Sequence, residues 1–180
     1  VPEGKTVIDT LAIIAEKTGI PLADFQAAAK DPVALGVPDF WFNRNDGKQA
    51  AKSLEGFLFP QTYEFNPGVT ALDILKEMVG HFVEVATKLK FVDRVQAERK
   101  ISPFEALTVA SLAQAEAGVA ADLGKIARVA YNRAYKAKMP LQFDVTANYW
   151  LQLNGKPMKP SGQLTKAELE DPNNPYNTVT

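Results

Sequence analysis

The sequence contains no cysteine and a single histidine, His81. Without cysteine the chain forms no disulfide and carries no thiolate nucleophile or thiolate metal ligand. A lone histidine excludes a multi-histidine metal site and disfavours a serine–histidine triad, so we interpret His81 as structural. The sequence also lacks a phosphate-binding loop, a cluster of metal ligands and a dinucleotide fingerprint. We therefore expect the protein to work without a metal or cofactor.

Net charge and long hydrophobic runs are lacking as well. The 180 residues include 20 basic and 21 acidic side chains, and no basic face indicates nucleic acid or an anionic membrane surface as a partner. No run approaches the ~20 apolar residues of a membrane span, and we find no signal peptide. Because the sequence begins abruptly at Val1 and stops at Thr180, we expect it to be a soluble piece of a longer protein.

Most of the chain has a helical pattern. Its length suits one domain with a substantial core, or a domain with a small lobe. Residues 54–65 alternate as a strand does, with Pro60 as an interruption. The predicted fold class is therefore α+β and predominantly helical, with short strands, a helical N-terminal lobe over residues 1–52 and a mainly α domain over residues 53–180. Helices are predicted over 6–17, 22–30, 70–91, 102–118, 122–138, around 149–151 and over 166–170.

One predicted helix carries an acid in an unusual place. Ser102 and Glu105 form a predicted capping box at its start, and Gly118 is predicted to end it in the left-handed conformation. Apolar residues recur between them at helical spacing, and Glu116 falls beside that stripe rather than opposite it. Partial burial and the negative end of the helix dipole would both favour a protonated carboxyl there, as a general acid requires. The alternative is a solvated surface glutamate.

Other useful polar side chains are concentrated in the last third of the chain. Gln142, Asp144 and Thr146 occupy alternate positions and would point the same way if this segment were extended. The alternative is a turn in which Asp144 or Thr146 caps the next helix. The aromatic pair at 149–150 either packs inside the protein or stacks on sugar rings.

Several stretches of the sequence are familiar when taken together. They are Leu-Glu-Gly-Phe-Leu-Phe-Pro-Gln-Thr-Tyr (54–63), Leu-Thr-Val-Ala-Ser-Leu-Ala-Gln-Ala-Glu (107–116), Tyr-Asn-Arg (131–133), Met-Pro-Leu-Gln-Phe-Asp-Val-Thr (139–146) and Pro-Tyr-Asn-Thr (175–178). In this order the set resembles the YceG-like family, the endolytic murein transglycosylases called MltG. The resemblance runs from the first residues of the chain to its end.

This resemblance implies an enzyme, a lyase, that cleaves the β-1,4 bond between MurNAc and GlcNAc in nascent peptidoglycan strands and leaves a 1,6-anhydroMurNAc end. It implies that residues 53–180 are the catalytic domain, truncated at its C-terminal end, and that a membrane anchor and a LysM-like module lie towards the N-terminus. Peptidoglycan glycan strands and peptidoglycan synthases are the expected partners, with membrane contact only through the anchor. The expected location is the extracytoplasmic face of the bacterial cell membrane.

The resemblance also implies a set of site residues. The family's catalytic glutamate falls on Glu116, and a second acid common two positions earlier is Gln114 here, so of these two only Glu116 can transfer a proton. The family's Asp-Pro-Thr reads Asp-Val-Thr at 144–146, and the last tyrosine of its Tyr-Asn-Thr-Tyr ending is replaced by Val179. Substrate-binding roles are expected for Tyr63, Asn132, Gln142, Asp144, Thr146, Tyr176 and Asn177.

Two other functions stay open on the sequence alone. Asp144 could act as a second carboxylate that activates water, which would make the enzyme a hydrolase with a reducing-end product. The chain could instead be a non-catalytic peptidoglycan-binding or scaffold module of a wall-synthesis complex. Strand binding without turnover would favour that second alternative.

Overall fold

The computed structural model describes residues 1–160 and 162–179, and the chain forms two compact units, Val1–Thr108 and Val109–Thr180. Within the described residues no β-strand is found, and the β-type pairing there is an isolated antiparallel bridge between Asn43 and Gln49. The prediction of a predominantly helical fold is confirmed, whereas the short strands of the predicted α+β class are not. Across the same residues, every helix is too short or too polar to cross a membrane.

Side-chain caps begin some helices of the first unit, and the sequence predicts the one at Ser102. Thr6 accepts a backbone N–H of the first turn of its helix at 3.3 Å, and Thr70 and Asp73 form a reciprocal capping box. Ser102 and Glu105 form another, with bonds of 2.9 and 3.2 Å, and such caps satisfy amides that a helix leaves unpaired. The elements are α1 (Val7–Thr18), α2 (Leu22–Ala28), a 3-10 turn (Asp39–Phe42), α3 (Ala71–Lys88), α4 (Phe91–Arg99) and α5 (Pro103–Glu116), whose later residues belong to the second unit.

Trp41 lies at the centre of the core of the first unit. Its ring centroid is 5.7 Å from that of Phe57, 5.0 Å from that of Phe82 and 5.7 Å from that of Phe91. The Trp41 side chain is 2% exposed. Buried aromatic rings at these separations stabilise a core by their large apolar area and by edge-to-face contacts.

The core of the first unit contains residues from both sides of the boundary predicted after residue 52. Its buried members include Leu11, Ile14, Phe25, Leu35, Val37, Phe42, Leu54, Ile74, Leu75, Met78 and Val79. The boundary predicted after residue 52 therefore falls inside the first compact unit. The division into a helical lobe and a catalytic domain stays a prediction.

Residues 54–65 turn where the sequence predicted a strand. Gly56 has a φ of +85°, and the Phe57 amide donates to the Leu54 carbonyl at 2.9 Å. A Cβ at Gly56 would come within 3.0 Å of the Leu107 side chain, so both the conformation and the space require glycine. Pro60 has no N–H to give to a neighbouring strand. The alternation of apolar residues thus reflects burial along an irregular segment.

The second unit has a small core. Leu112, Ala130 and Phe143 are buried against one another. Hydrogen bonds from side chains to the backbone stabilise other parts of the second unit. The Asn148 side-chain amide binds the backbone of Lys159 through both its nitrogen and its oxygen, at 2.9 and 2.8 Å. The elements after α5 are a 3-10 turn (Ala120–Asp122), α6 (Leu123–Tyr131), a π-helical turn (Asn132–Ala137), α7 (Val145–Leu153) and α8 (Lys166–Leu169).

Several helix ends differ from the prediction. Gly118 does not take the left-handed conformation, because α5 ends at Glu116 and the chain continues into extended backbone at Val119. The helix predicted over 122–138 is α6 followed by the π-helical turn, which ends at Lys138 with a φ of 50°. The helix predicted to reach residue 91 stops at Lys88, and α4 was not predicted.

Replacing Trp41 by Ala is expected to lower the free energy of unfolding by about 3–5 kcal/mol, because it empties the centre of an aromatic core. Unfolding in guanidinium chloride, followed by far-UV circular dichroism, measures this loss. Phe40→Ala is the matched control, since the adjacent Phe40 ring is 43% exposed. Equal losses in the two variants would contradict the central position of Trp41.

Candidate active site

Glu116 is the last residue of α5, and its side chain is exposed. The partial burial expected from the helical periodicity is therefore wrong: the second unit covers the apolar stripe of α5 at Leu112 and Ala113 and leaves Glu116 in solvent. Within residues 1–160 and 162–179 the Glu116 carboxylate takes part in no hydrogen bond or ion pair. The carboxylate is accessible to a ligand.

An open depression of about 320 Å³ in the second unit has Glu116 in its wall. The depression combines one carboxylate, two cations, a primary amide and apolar surface. One of the cations, Lys125, is paired with Asp122 at 2.8 Å. The lining residues are Glu116, Lys125, Ile126, Val129, Arg133, Gln142 and Phe143.

Arg133 is the second cation, and protein contacts hold its side chain in place. Its guanidinium donates to the carbonyl oxygen of Leu141 and lies 6.0 Å from the centroid of the Phe143 ring. The residue is half-buried and belongs to the π-helical turn after α6. Such turns occur often at functional sites, because they change the direction in which side chains leave the helix.

A pairing with the end of the chain shapes the wall that contains Gln142. Gln142 has a φ of 56°, and its backbone N–H donates to the Thr178 carbonyl at 2.7 Å. The Thr178 hydroxyl accepts from the Phe143 amide at 3.0 Å and donates to the Phe143 carbonyl at 3.1 Å. A left-handed backbone at a residue other than glycine costs about 1–3 kcal/mol and persists only where its surroundings hold it. Thr178 supplies these contacts.

Asp144 and Thr146 are not in an extended segment with Gln142. Asp144 has helical backbone angles directly before α7, and Thr146 lies within α7, so the expectation of side chains on one face is wrong. The Asp144 side chain makes no capping hydrogen bond either. The Thr146 hydroxyl donates to the Phe143 carbonyl at 2.9 Å and lies 3.2 Å from the Thr178 hydroxyl. Thr146 thus stabilises the wall of the depression through the backbone of Phe143.

Comparisons with known proteins assign the chain to a family. The model of the YceG-like family matches residues 1–180. This chain belongs to the YceG-like family. Over 155 residues it is 36% identical to the endolytic murein transglycosylase of Bacillus subtilis (strain 168), a match that covers 83% of this chain and 42% of that protein. Over 125 residues it is 32% identical to the endolytic murein transglycosylase of Streptococcus pneumoniae (strain ATCC BAA-255 / R6), covering 69% of this chain and 21% of that protein.

The fold is shared with a solved member of the family. A crystal structure of a YceG-like protein from Listeria monocytogenes has 30% identity and a TM-score of 0.77 with this chain, and the match covers 99% of this chain and 57% of that one. The chain spans less than half the length of either relative named endolytic murein transglycosylase. It therefore corresponds to a part of such proteins.

Three more of the residues that the family resemblance assigns to substrate binding lie in the second unit. The Oδ1 atom of Asn132 is buried and has no hydrogen-bond partner among the described residues. The Tyr176 ring meets a neighbouring tyrosine edge-on at 4.9 Å, and the Asn177 side chain accepts a backbone amide two residues on at 2.8 Å. The structure brings Gln142 to the same depression as Glu116. Binding roles for all of these residues, Gln142 included, stay predictions.

The aromatic pair at 149–150 packs within the second unit of this family member. Tyr149 contacts Tyr176, and the Trp150 indole N–H donates to the Asp171 carboxylate at 3.1 Å. Hydrogen bonds from the backbone of Asn173 and from Trp150 lower the pKa of Asp171. The packing alternative describes these two rings better than a sugar platform does.

Tyr63, the remaining predicted binding residue, belongs to the first unit. Its hydroxyl donates to the Phe59 carbonyl at 2.7 Å, and its ring stacks on Phe65 at a centroid distance of 5.8 Å. Burial, assisted by the Glu77 carboxylate, raises the pKa of Tyr63 to about 12. The phenol is therefore protonated at neutral pH, and its role in glycan binding stays a prediction.

Two cations of the depression were not predicted as site residues. Lys125 gives no signal in the sequence, because an exposed lysine on an amphipathic helix is ordinary. Arg133 and Thr178 each end a stretch that carries the family resemblance, Tyr-Asn-Arg and Pro-Tyr-Asn-Thr. Their places in those stretches were the available signal, but the contacts that they make could not be predicted from it.

Replacing Thr178 by Val is expected to weaken the wall of the depression, because it leaves the Phe143 amide without its acceptor. An unmade bond of this kind costs about 1–3 kcal/mol, so hydrogen exchange at the Phe143 amide should accelerate by about 5- to 150-fold. Nuclear magnetic resonance measures this amide directly. Thr178→Ser keeps the hydroxyl and should keep the protection, and unchanged exchange in the Val variant would contradict the assigned contact.

Proposed function

We propose that this chain carries the catalytic part of an endolytic lytic transglycosylase, which cleaves the β-1,4 bond between MurNAc and GlcNAc in nascent peptidoglycan strands. Membership of the YceG-like family and the names of two relatives support the enzyme class and the substrate. The observation that carries the proposal is the position of Glu116. Its carboxyl is exposed at the edge of an open depression and has no partner among the described residues, so a strand can reach it.

A single carboxyl is sufficient for this reaction because the substrate supplies the other groups. Protonated Glu116 donates its proton to the glycosidic oxygen as that bond breaks, and the N-acetyl oxygen of the substrate stabilises the positive charge at the anomeric carbon. The ionised Glu116 then accepts the proton of the MurNAc 6-hydroxyl as that oxygen attacks the anomeric carbon. The products are a free GlcNAc 4-hydroxyl and a 1,6-anhydroMurNAc end, and no water is consumed.

Of positions 114 and 116 on this helix, only Glu116 can donate a proton. Gln114, two residues earlier, is exposed and carries an amide, which does not titrate. Gln142 lines the same depression and offers a donor and an acceptor for sugar hydroxyl and N-acetyl groups. Binding of further parts of the strand is proposed for Tyr63, Asn132, Asp144, Thr146, Tyr176 and Asn177.

The substrate also determines where the protein would work. Nascent peptidoglycan lies outside the cytoplasm, so we place the activity at the extracytoplasmic face of the bacterial cell membrane. Peptidoglycan synthases, which make such strands, are the proposed partners. The membrane itself would be contacted through an anchor outside residues 1–180.

Replacing Glu116 by Gln is expected to reduce formation of anhydromuropeptides by about 10²–10⁴-fold, because it removes the proton donor. Mass spectrometry of peptidoglycan strands incubated with the intact protein measures the products. Glu170→Gln is the matched control, since Glu170 is an exposed glutamate of the second unit whose ion-pair contact with Lys166 is 3.9 Å long. Undiminished anhydro products from Glu116→Gln would exclude the assignment.

The same experiment separates the two alternatives. A hydrolase that uses Asp144 to activate water would give reducing ends in place of anhydro ends, and the two products differ in mass by one water. A binding or scaffold module would retain strands without changing them, in the wild-type protein and in the Glu116→Gln variant alike.

A further inference from the structure

We propose that Arg133 determines the substrate preference of this site by binding a carboxylate that is carried on the lactyl substituent of MurNAc. This inference rests on the proposed function and specifies the substrate further. The activity would then be directed to strands that carry such an acid close to the bond to be cleaved. The inference follows from the contacts of the Arg133 guanidinium in the depression.

Arg133 has no carboxylate partner among residues 1–160 and 162–179. Its guanidinium donates to the Leu141 carbonyl and packs near the Phe143 ring. Within the described residues its remaining N–H groups have no acceptor, and no aspartate or glutamate forms an ion pair with it. The other cation of the depression differs, because Lys125 is paired with Asp122.

The geometry suits recognition of a planar anion. A guanidinium presents several donors in a fixed plane, which match the two oxygens of a carboxylate. The contacts with Leu141 and Phe143 hold that plane, so less side-chain entropy is lost when a ligand binds. Arg133 and Glu116 line the same depression without forming an ion pair, so the cation stays available while the acid faces the strand.

The anion must come from the strand itself. The hydroxyl and N-acetyl groups of the glycan are neutral, whereas the lactyl group of MurNAc carries acid in either of two forms. In peptide-bearing strands it is linked to a stem peptide with its own carboxylates, and in peptide-free strands it ends in a carboxylate. Both sources offer the same chemistry to Arg133, and MurNAc is the sugar whose anomeric carbon reacts.

Binding measured without turnover tests this inference independently of catalysis. In the Glu116→Gln background, we expect short soluble peptide-bearing strands to bind about tenfold more tightly than the same strands with their carboxylates amidated, as one charge-assisted hydrogen bond allows. Adding Arg133→Gln should bring that ratio close to one. Arg128→Gln, on the exposed side of α6 and outside the depression, is the matched control and should keep it.

Two further arms complete the test. Arg133→Lys keeps the charge but not the planar fork and is expected to give an intermediate ratio, which also serves if Arg133→Gln fails to fold. Peptide-free strands, with and without amidation, identify the source: a ratio confined to peptide-bearing strands assigns the stem, and one present in both assigns an acid close to the lactyl group.

Some outcomes would overturn the inference. A ratio of one for both kinds of strand in the Glu116→Gln protein, or a tenfold ratio that survives Arg133→Gln, would mean that Arg133 only supports the Leu141 loop. Formation of anhydro products by the wild-type protein is measured separately. The proposed reaction can therefore fail while the carboxylate preference holds, and the preference can fail while the reaction holds.

Discussion

The pairing between Thr178 and residues 142–143 is the contact on which the geometry of the candidate site depends. Gln142 has a left-handed backbone, which an L-residue adopts only under constraint. The Thr178 carbonyl accepts from the backbone N–H of Gln142, and its hydroxyl accepts from the backbone N–H of Phe143. The same hydroxyl donates to the Phe143 carbonyl. Because Leu141 precedes this pair and accepts from Arg133, the same constraint extends to the guanidinium. A residue near the chain end thus positions two walls of the depression.

Polar contacts are important in the second unit because its apolar core is too small to hold all of its segments together. Its buried cluster centres on Leu112, Ala130 and Phe143. Hydrogen bonds that reach across many residues, such as those of Asn148 with the backbone of Lys159, connect segments that apolar packing does not. A bond to a buried backbone group is directional, and losing it costs more than a surface contact. These hydrogen bonds hold the site residues in position and leave the depression open.

Features that depend on residues close together in the sequence could be predicted, whereas features that depend on distant residues could not. The capping box at Ser102 forms as predicted, because the groups that meet are three residues apart. The strand over 54–65 was wrong, because alternation indicates burial and says nothing about a pairing partner. Helical periodicity singled out Glu116, and family resemblance gave it the predicted catalytic role. Its expected burial was wrong, because periodicity assumes that a neighbour covers the whole length of the helix. The bond from Arg133 depends on where the Leu141 carbonyl lies, which no local pattern encodes.

Because the exposed Glu116 carboxyl has no partner in the described part of the chain, the substrate must supply most of the order that the reaction needs. Helix α5 fixes the backbone of Glu116, but no described neighbour fixes its carboxyl. The glycosidic oxygen must therefore be brought to the acid by contacts elsewhere on the strand. Gln142 and Arg133 lie on walls that are themselves held by backbone bonds, so binding energy gained there can be used to orient the scissile bond. Under the proposed function, a strand that lacks these contacts would lose rate as well as affinity, because it would reach Glu116 in the wrong orientation.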